Sequence, residues 1–439
     1  MIRNLKNGPV KKAIGSRPLG HSRAVSIFPH GRVRENMKKN IRSILIIREP
    51  KKALCLRAAV ILVFLIAAAG LIAAFGGFRL LTLSGQGGDS DFVSAKVLEI
   101  SEDNTSTDPA SGGRRVGEQQ LKIQILQGPH KGEVMETPNY LSALHNVYAH
   151  QGSRIVVRID TQKSGSYAAS VYNYDRSAVL LGITSFFLLL LCVAGGKRGI
   201  RSMFGLLFTM SCVFFLLIPM ILNAVSPVLA AVVIALLTSP VCFLLLAGWN
   251  GKAVSAMLGT AAGVAFSGLF SAAAGAAAGM NGFNMQEAES LLLQTGKSNI
   301  QIDGLLVAGI IVSSLGAVMD IAISIASAVS ELHAASPKME ARKLFRSGLS
   351  IGRDAMGTMA NTLILAFTGS SLNMLVLIGS YGIPFSQLIS TDLIGVELLQ
   401  SIAGCIGIIL TVPLVALISS RVELLANPGP VLKKDAGRH

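Results

Sequence analysis

The sequence predicts a mainly α protein: a polytopic bundle of about eight membrane-spanning helices, with a small all-β domain between the first span and the second. Three observations carry this. Apolar residues make up 51% of the 439-residue chain and charged residues only 14%, too apolar a balance for an ordinary soluble protein. The apolar residues gather into runs near the roughly 20 residues a helix needs to cross a bilayer. One long interval between runs alternates apolar and polar residues at period two, the pattern of half-buried strands.

Eight runs approach spanning length, at about 58–78, 178–195, 203–222, 228–249, 253–279, 302–329, 355–379 and 396–419. The first begins behind a long polar tail, beyond the stretch where signal peptides sit, so a retained anchor is expected. The chain thus divides into a basic cytoplasmic tail (1–57), a first transmembrane helix (58–78), an extracytoplasmic β-rich domain (79–177), a seven-helix transmembrane domain (178–420) and a second cytoplasmic tail (421–439). Residues 1–57 carry 15 Lys/Arg against Glu35 and Glu49, which accounts for most of the net charge of +15. A basic tail abutting a membrane run reads as an orientation signal attracted to anionic lipid rather than a nucleic-acid arm. Lys197, Arg198, Arg201, Lys252, Lys338, Arg342, Lys343, Arg346 and Arg421 all fall on the same side as that tail. The positive-inside rule then places both termini in the cytoplasm.

Residues 79–177 are nearly neutral, with ten Lys/Arg and eleven Asp/Glu. Alternation in DFVSAKVLEI, QLKIQIL, SRIVVRID and YAASVYNY predicts short antiparallel strands in an OB-like barrel or a sandwich. Residues 101–119 are polar throughout and read as a mobile loop. All five cysteines lie in or beside membrane runs, which leaves this domain without a disulfide framework. His130, His145 and His150 have no metal-ligand spacing and read as surface histidines. Asn104-Thr105-Ser106 matches a glycosylation acceptor of a kind common by chance.

In the bundle, Gly259 and Gly263, then Gly275 and Gly279, recur at four-residue spacing and predict close helix packing. This fits internal contacts, a homo-oligomer or a hetero-complex equally well. Pro240 and Pro413 are expected to interrupt the fourth and eighth spans. Between the sixth and seventh, Ser336-Pro337 resembles an N-cap and first helical position. It would open either a short amphipathic surface helix or a solvated basic elbow.

The residues most in need of explanation lie in 302–376. Asp320 sits within the apolar run LGAVMDIAISIASAV, where an ionisable side chain costs at least about 2.5–3.5 kcal/mol and usually marks a site. Ser324 and Ser327 share its helix face. Were that helix to end near Val329, Asp320 would lie about 14 Å inside the inner surface. The following run, SIGRDAMGTMANTLILAFTGSS, brings Arg353, Asp354, Thr358, Asn361 and Thr362. Asn361 is expected near the depth of Asp320, with Thr358, Thr362 and Ser324 solvating its carboxyl, and with Arg353 and Asp354 at the membrane entrance. A carboxyl among apolar helices resists ionisation, so it can gain and lose a proton during a cycle. The alternative is a neutral Asp acting as interhelical glue.

The stretches GAVMDIAISIASAVSEL and SIGRDAMGTMANTLILAFTGSSL resemble the YibE/F family of bacterial multi-spanning membrane proteins, and the likeness covers about residues 90–420. The resemblance implies a bacterial plasma membrane and this topology, but no settled activity. The order of LLLAGWNGKAVSAMLG, an Asp-bearing helix, a basic loop and a Thr-rich helix is also distantly similar to the auxiliary subunits of the protein-export translocon, relatives of resistance-nodulation-division permeases. That similarity implies Asp320 as the coupling acid, with polar partners near Arg353, Asn361 and Thr362.

The expected function is a proton- or cation-coupled transporter or permease component, moving an unidentified small solute or ion across the lipid bilayer. An alternative is a non-catalytic assembly or scaffold protein. An intramembrane aspartyl protease would need Asp320 and Asp354 to meet, yet the expected depths put them several turns apart. No HExxH, CxxC or nucleotide-binding loop occurs. The sequence therefore predicts no enzyme, cofactor, metal or nucleic-acid partner.

Overall fold

The computed structural model describes residues 51–75, 90–161, 167–295, 300–382 and 384–426. The chain divides into Met1–Ala53 and Leu54–His439. Nearly all of the first unit, and with it the basic tail, lies outside the described residues, as does the tail beyond 426.

After helix α1 (Lys51–Ala74) come five strands: β1 (Ser90–Asp108), β2 (Arg114–Ile125), β3 (Val134–Leu141), β4 (Arg154–Thr161) and β5 (Tyr167–Tyr174). They form one antiparallel sheet in the order β3-β2-β1-β4-β5. Period-two alternation puts Ala95, Val97, Leu121, Ile123, Ile155 and Val157 on one buried face. The sheet curls until its edges meet, where Thr137 Oγ1 donates to the Ala169 carbonyl at 2.6 Å. It is therefore a half-barrel of one sheet, not a sandwich of two. Buried Gln119 accepts from Asn139 Nδ2 (3.1 Å) and Ala149 N (3.0 Å), pinning the segment before β4 onto the sheet.

Residues 101–119 correct the expectation of a mobile loop. Glu102 to Asp108 pair with Gln120 to Arg114 in a ribbon that projects beyond the core, so neither face has apolar surface to bury. Asp103 holds it instead. Its carboxylate accepts from Thr105 Oγ1 (2.5 Å), Tyr148 OH (2.8 Å) and Gln119 Nε2 (3.3 Å), with Arg115 Nη1 at 3.8 Å and the Arg115 guanidinium over the Tyr148 ring. The Thr105 hydroxyl first, then the Tyr148 hydroxyl and the Gln119 amide, hold the Asp103 carboxyl below the usual carboxylate range, and the same carboxylate pushes the Tyr148 phenol up. Gly117 is required in β2: at φ 128°, a Cβ there would overlap the Asn104 carbonyl.

The helices are α2 (Ser177–Cys212), continued by a π segment (Val213–Leu217) into α3 (Ile218–Leu222), then α4 (Pro227–Ala247), α5 (Gly251–Ala278), α6 (Ala288–Thr295), α7 (Leu305–Ala335), α8 (Ala341–Ser370), α9 (Leu372–Ser380), α10 (Phe385–Ile389) and α11 (Asp392–Ala426). Among the described residues five are long and apolar enough to cross a membrane, or six if the pair α8–α9, bent by 60°, counts as one. The first of the five, Ser177–Leu222, breaks at Gly196 (φ 54°, ψ −135°). Cys192 Sγ lies 3.4 Å from Met203 Sδ, so the chain doubles back there beside Lys197 and Arg198. The limb before Gly196 exposes Leu180, Phe186, Leu189 and Val193. Such a surface would drive association in water but is at ease against lipid.

Helix α7 lies at the centre, packed by α4, α5, α8 and α11 around Leu315, Val318, Ile321, Ile325 and Val329. Lipid offers no hydrophobic drive between helices, so small residues set the spacing. A Cβ at Gly259 would overlap Val415, and one at Gly263 would overlap Thr411 Oγ1, so this half of the glycine series packs α5 against α11. Gly279, at φ 68°, instead ends α5. Pro240 and Pro413 do not interrupt their helices; α4 and α11 run on through them.

Two outcomes follow. Gly263→Val should destabilise the bundle by about 1–3 kcal/mol through overpacking, read as a lower Tm of the protein in detergent, whereas Gly309→Val, where a Cβ would meet open space, should leave Tm nearly unchanged. In the ribbon, Asp103→Asn should cost about 1 kcal/mol, since the site is partly exposed. The lowered carboxyl contributes stability that is present above the ordinary value of 3.8 and lost as pH falls through the native one. Tyrosine circular dichroism from about pH 6 to about pH 2 should therefore show a wild-type transition that the Asn variant lacks.

Candidate functional site

Helix α7 is apolar for most of its length and carries one acid near its middle. Asp320 lies fifteen residues from each end, Leu305 and Ala335, or about 22 Å at 1.5 Å per residue. The expected depth of about 14 Å assumed a helix ending near Val329, and that end is not observed. The helix runs past Val329 to Ala335, and Ser336 is its C-cap, not the N-cap of a following helix. Helix α8 then begins after Glu340 and continues unbroken into the apolar run, so the expected surface helix is simply its first turns.

Glycines bring α7 and α8 together. A Cβ at Gly348 would meet Val329 at 2.6 Å, and one at Gly352 would overlap Val412 and touch Ile325 at 3.0 Å. These contacts are four residues apart on both helices, which fixes an antiparallel register. Asp320 is then level with Gly357, five residues beyond Ile325 on one helix and Gly352 on the other. Asn361 lies one turn away from that level, and Arg353 is level with Ser324. Asp354 is less than one turn from Asp320 in depth, not several turns as the sequence implied.

The residues singled out in the sequence lie on outward faces. Asp320 and Ser324 are exposed on α7; Arg353, Asp354, Gly357, Thr358, Asn361 and Thr362 are exposed on α8. The inward face of α8 is Leu344, Phe345, Gly348, Leu349, Gly352, Met356 and Met359. The expected solvation shell is not assembled. Ser324 Oγ donates to the Asp320 backbone carbonyl (2.7 Å), Thr358 Oγ1 to Ala355 O (2.8 Å) and Thr362 Oγ1 to Thr358 O (2.9 Å). Each hydroxyl satisfies itself on its own helix, the usual recourse of Ser and Thr in apolar surroundings. Among the described residues the Asp320 carboxyl makes no hydrogen bond or ion pair, and a Cβ at Gly357 would meet open space at its level. The arrangement can hold a carboxyl at mid-helix, level with a largely polar outward face of α8 that runs about 22 Å from Ser347 to Thr362.

Among the described residues no group of three or more His, Cys, Asp or Glu could hold a metal ion. His130 instead stacks on Tyr167 (3.9 Å between ring centres) and faces Glu133 Oε1 at 3.3 Å. Sequence reasoning passed over Glu397. It stands second in the last apolar run and so reads as a membrane-boundary acid. Only the fold reveals that its Oε2 is buried without a hydrogen bond.

An apolar helix bundle preceded by a curled antiparallel sheet, with α7 at its centre, defines an integral membrane protein. The family model described as YibE/F-like protein matches residues 183–423, and that described as the YibE/F family N-terminal domain matches residues 93–174. The chain belongs to the YibE/F family. The two matches part where β5 gives way to α2, a junction at which Asp175 accepts from both Ser94 Oγ and Ser177 N. No curated protein and no solved structure matches the chain.

If the outward face of α7 and α8 is wetted, cysteines at Ser324 and Gly357 should react with a membrane-impermeant thiol reagent. A cysteine at buried Val318 should not. Mass spectrometry of the labelled protein, with its native cysteines replaced, reads the difference.

Proposed function

We propose that this protein is a proton- or cation-coupled transporter or permease component of the bacterial plasma membrane, with Asp320 as the coupling acid. In this reading the eight spans are α1, the two limbs from Ser177 to Leu222, α4, α5, α7, the α8–α9 pair and α11. Both termini face the cytoplasm and the sheet domain lies outside. The observation that carries the reading is the placement of Asp320 at the middle of a 31-residue apolar helix, outward and unpaired. Facing hydrocarbon, that carboxylate would cost about 2.5–3.5 kcal/mol or more, so its face must be wetted, covered or neutralised. The largely polar outward face of α8 at the same level supports an aqueous crevice. One charge moved across a potential of about 100 mV supplies about 2.3 kcal/mol, enough to shift a two-state equilibrium substantially.

The same open polar face favours a second reading, a membrane assembly or scaffold protein in which a partner helix covers α7 and α8. A protease is not proposed. Asp354 approaches Asp320 in depth, but the two carboxyls make no hydrogen bond, and an acid dyad needs them to share a proton.

Proteoliposomes with an internal pH indicator, challenged with a panel of small solutes under an imposed potential, separate the first two readings. The transport reading expects solute-dependent proton movement that Asp320→Asn abolishes at normal abundance and Asp320→Glu retains in part. If Asp320→Asn matches the wild type, or no solute moves protons, the reading fails and the assembly role takes its place.

A further inference from the structure

Where α8 breaks into α9, with a bend of 60° at Ser371, the chain encloses a cavity of about 510 Å³ between α9, the start of α11 and the connection after α5. It lies at the end of the bundle opposite the α7–α8 turn. We propose that this cavity is a binding site for a small organic cation, an alkylammonium-type molecule whose charged head meets Glu397. It shares no lining residue with α7, so the inference stands apart from the coupling role given to Asp320.

Three features argue for it. The first is charge. Glu397 and Glu287 line the cavity with the amides of Asn284, Asn373 and Gln400, and no Lys, Arg or His joins them among the described lining residues. The second is an unmet hydrogen bond. Glu397 Oε2 is fully buried and has no partner, and a buried carboxylate oxygen left bare is expensive. An ammonium N–H supplies the missing donor as a charge-assisted bond, stronger than a neutral one. The third is shape. A bare inorganic cation needs six or more oxygens drawn in to about 2–2.6 Å, whereas here the polar groups spread over a space of small-molecule size, walled in part by Leu375, Ile378 and Val396. Carboxylates and aliphatic side chains lining one such space suit an organic cation better than a metal ion.

The broken helix adds a mechanical point. Asn373 lies just past the bend, so rotation about Ser371 would widen or narrow the cavity without disturbing the α7–α8 glycine contacts. Discontinuous helices at ligand sites are a recurring device in transporters. A second cavity, about 390 Å³ between α4, α5 and α7, has apolar walls relieved by little besides Ser239 and Thr260. It offers no charge to orient a ligand.

The test is calorimetric titration of hexylammonium into the full-length protein in lipid nanodiscs, with neutral hexanol and potassium chloride as comparators. Hexylammonium should bind saturably at one site, and neither comparator should displace it at equal concentration. Glu397→Gln should weaken binding by at least about tenfold. Asn373→Trp, at an exposed position on the rim, should abolish it by filling the space, and it decides the matter if Glu397→Gln does not fold. Asp320→Asn should bind as the wild type does, which separates failure of this site from failure of the coupling reading. The inference is overturned if the wild-type protein shows no saturable binding, if both cavity variants bind normally, or if potassium displaces the probe.

Discussion

Everything in this bundle is arranged around the difficulty of placing polar groups in hydrocarbon. Backbone amides satisfy themselves within helices, and the hydroxyls of Ser324, Thr358 and Thr362 follow them by bonding to carbonyls one turn back. Asp320 cannot do so. Its carboxyl has no acceptor-seeking neighbour on its own helix, and its outward direction denies it the company of the core. The architecture thus leaves, at the middle of α7, an ionisable group whose environment is decided by what lies outside the bundle. That is the condition a coupling acid needs and a purely structural residue would avoid.

Glycines hold this geometry in place. Gly348 and Gly352 seat α8 against Val329, Ile325 and Val412, and Gly259 and Gly263 seat α5 against α11. With these contacts fixed, α8 has no freedom to turn its polar side inward. Arg353, Asp354, Asn361 and both threonines are committed to the outside by the packing of the opposite face. A helix polar on one side and glycine-rich on the other suits water or a partner along its outer edge, while the lipid-facing role falls to the limb before Gly196.

Much of this was legible in the sequence, because membrane spans and strands announce themselves by period and length. The apolar runs, the tight α5 crossing and the polar character of 320–362 all rest on such signals. What the sequence misplaced were ends and depths. Helix α7 runs on through SELHAA, a segment polar enough to look like a loop, which puts Asp320 six residues farther from that helix end than expected and alters its level relative to Asn361 and Asp354. The ribbon at 101–119 was missed because its stability comes from cross-strand bonds to Asp103, and a polar strand pair has no alternating apolar face to detect. Glu397 was missed because burial at a helix end depends on what folds over it, here α9 and the connection after α5.

The account turns on whether the mid-helix carboxyl changes its protonation state while the protein sits in a bilayer. Infrared difference spectroscopy of the carboxyl C=O stretch, recorded as a pH gradient or potential is imposed and withdrawn, reads this directly. The account predicts a protonated-carboxyl band, missing from Asp320→Asn, that rises and falls reversibly with the gradient. A carboxyl that stays charged, or stays neutral, throughout would contradict it.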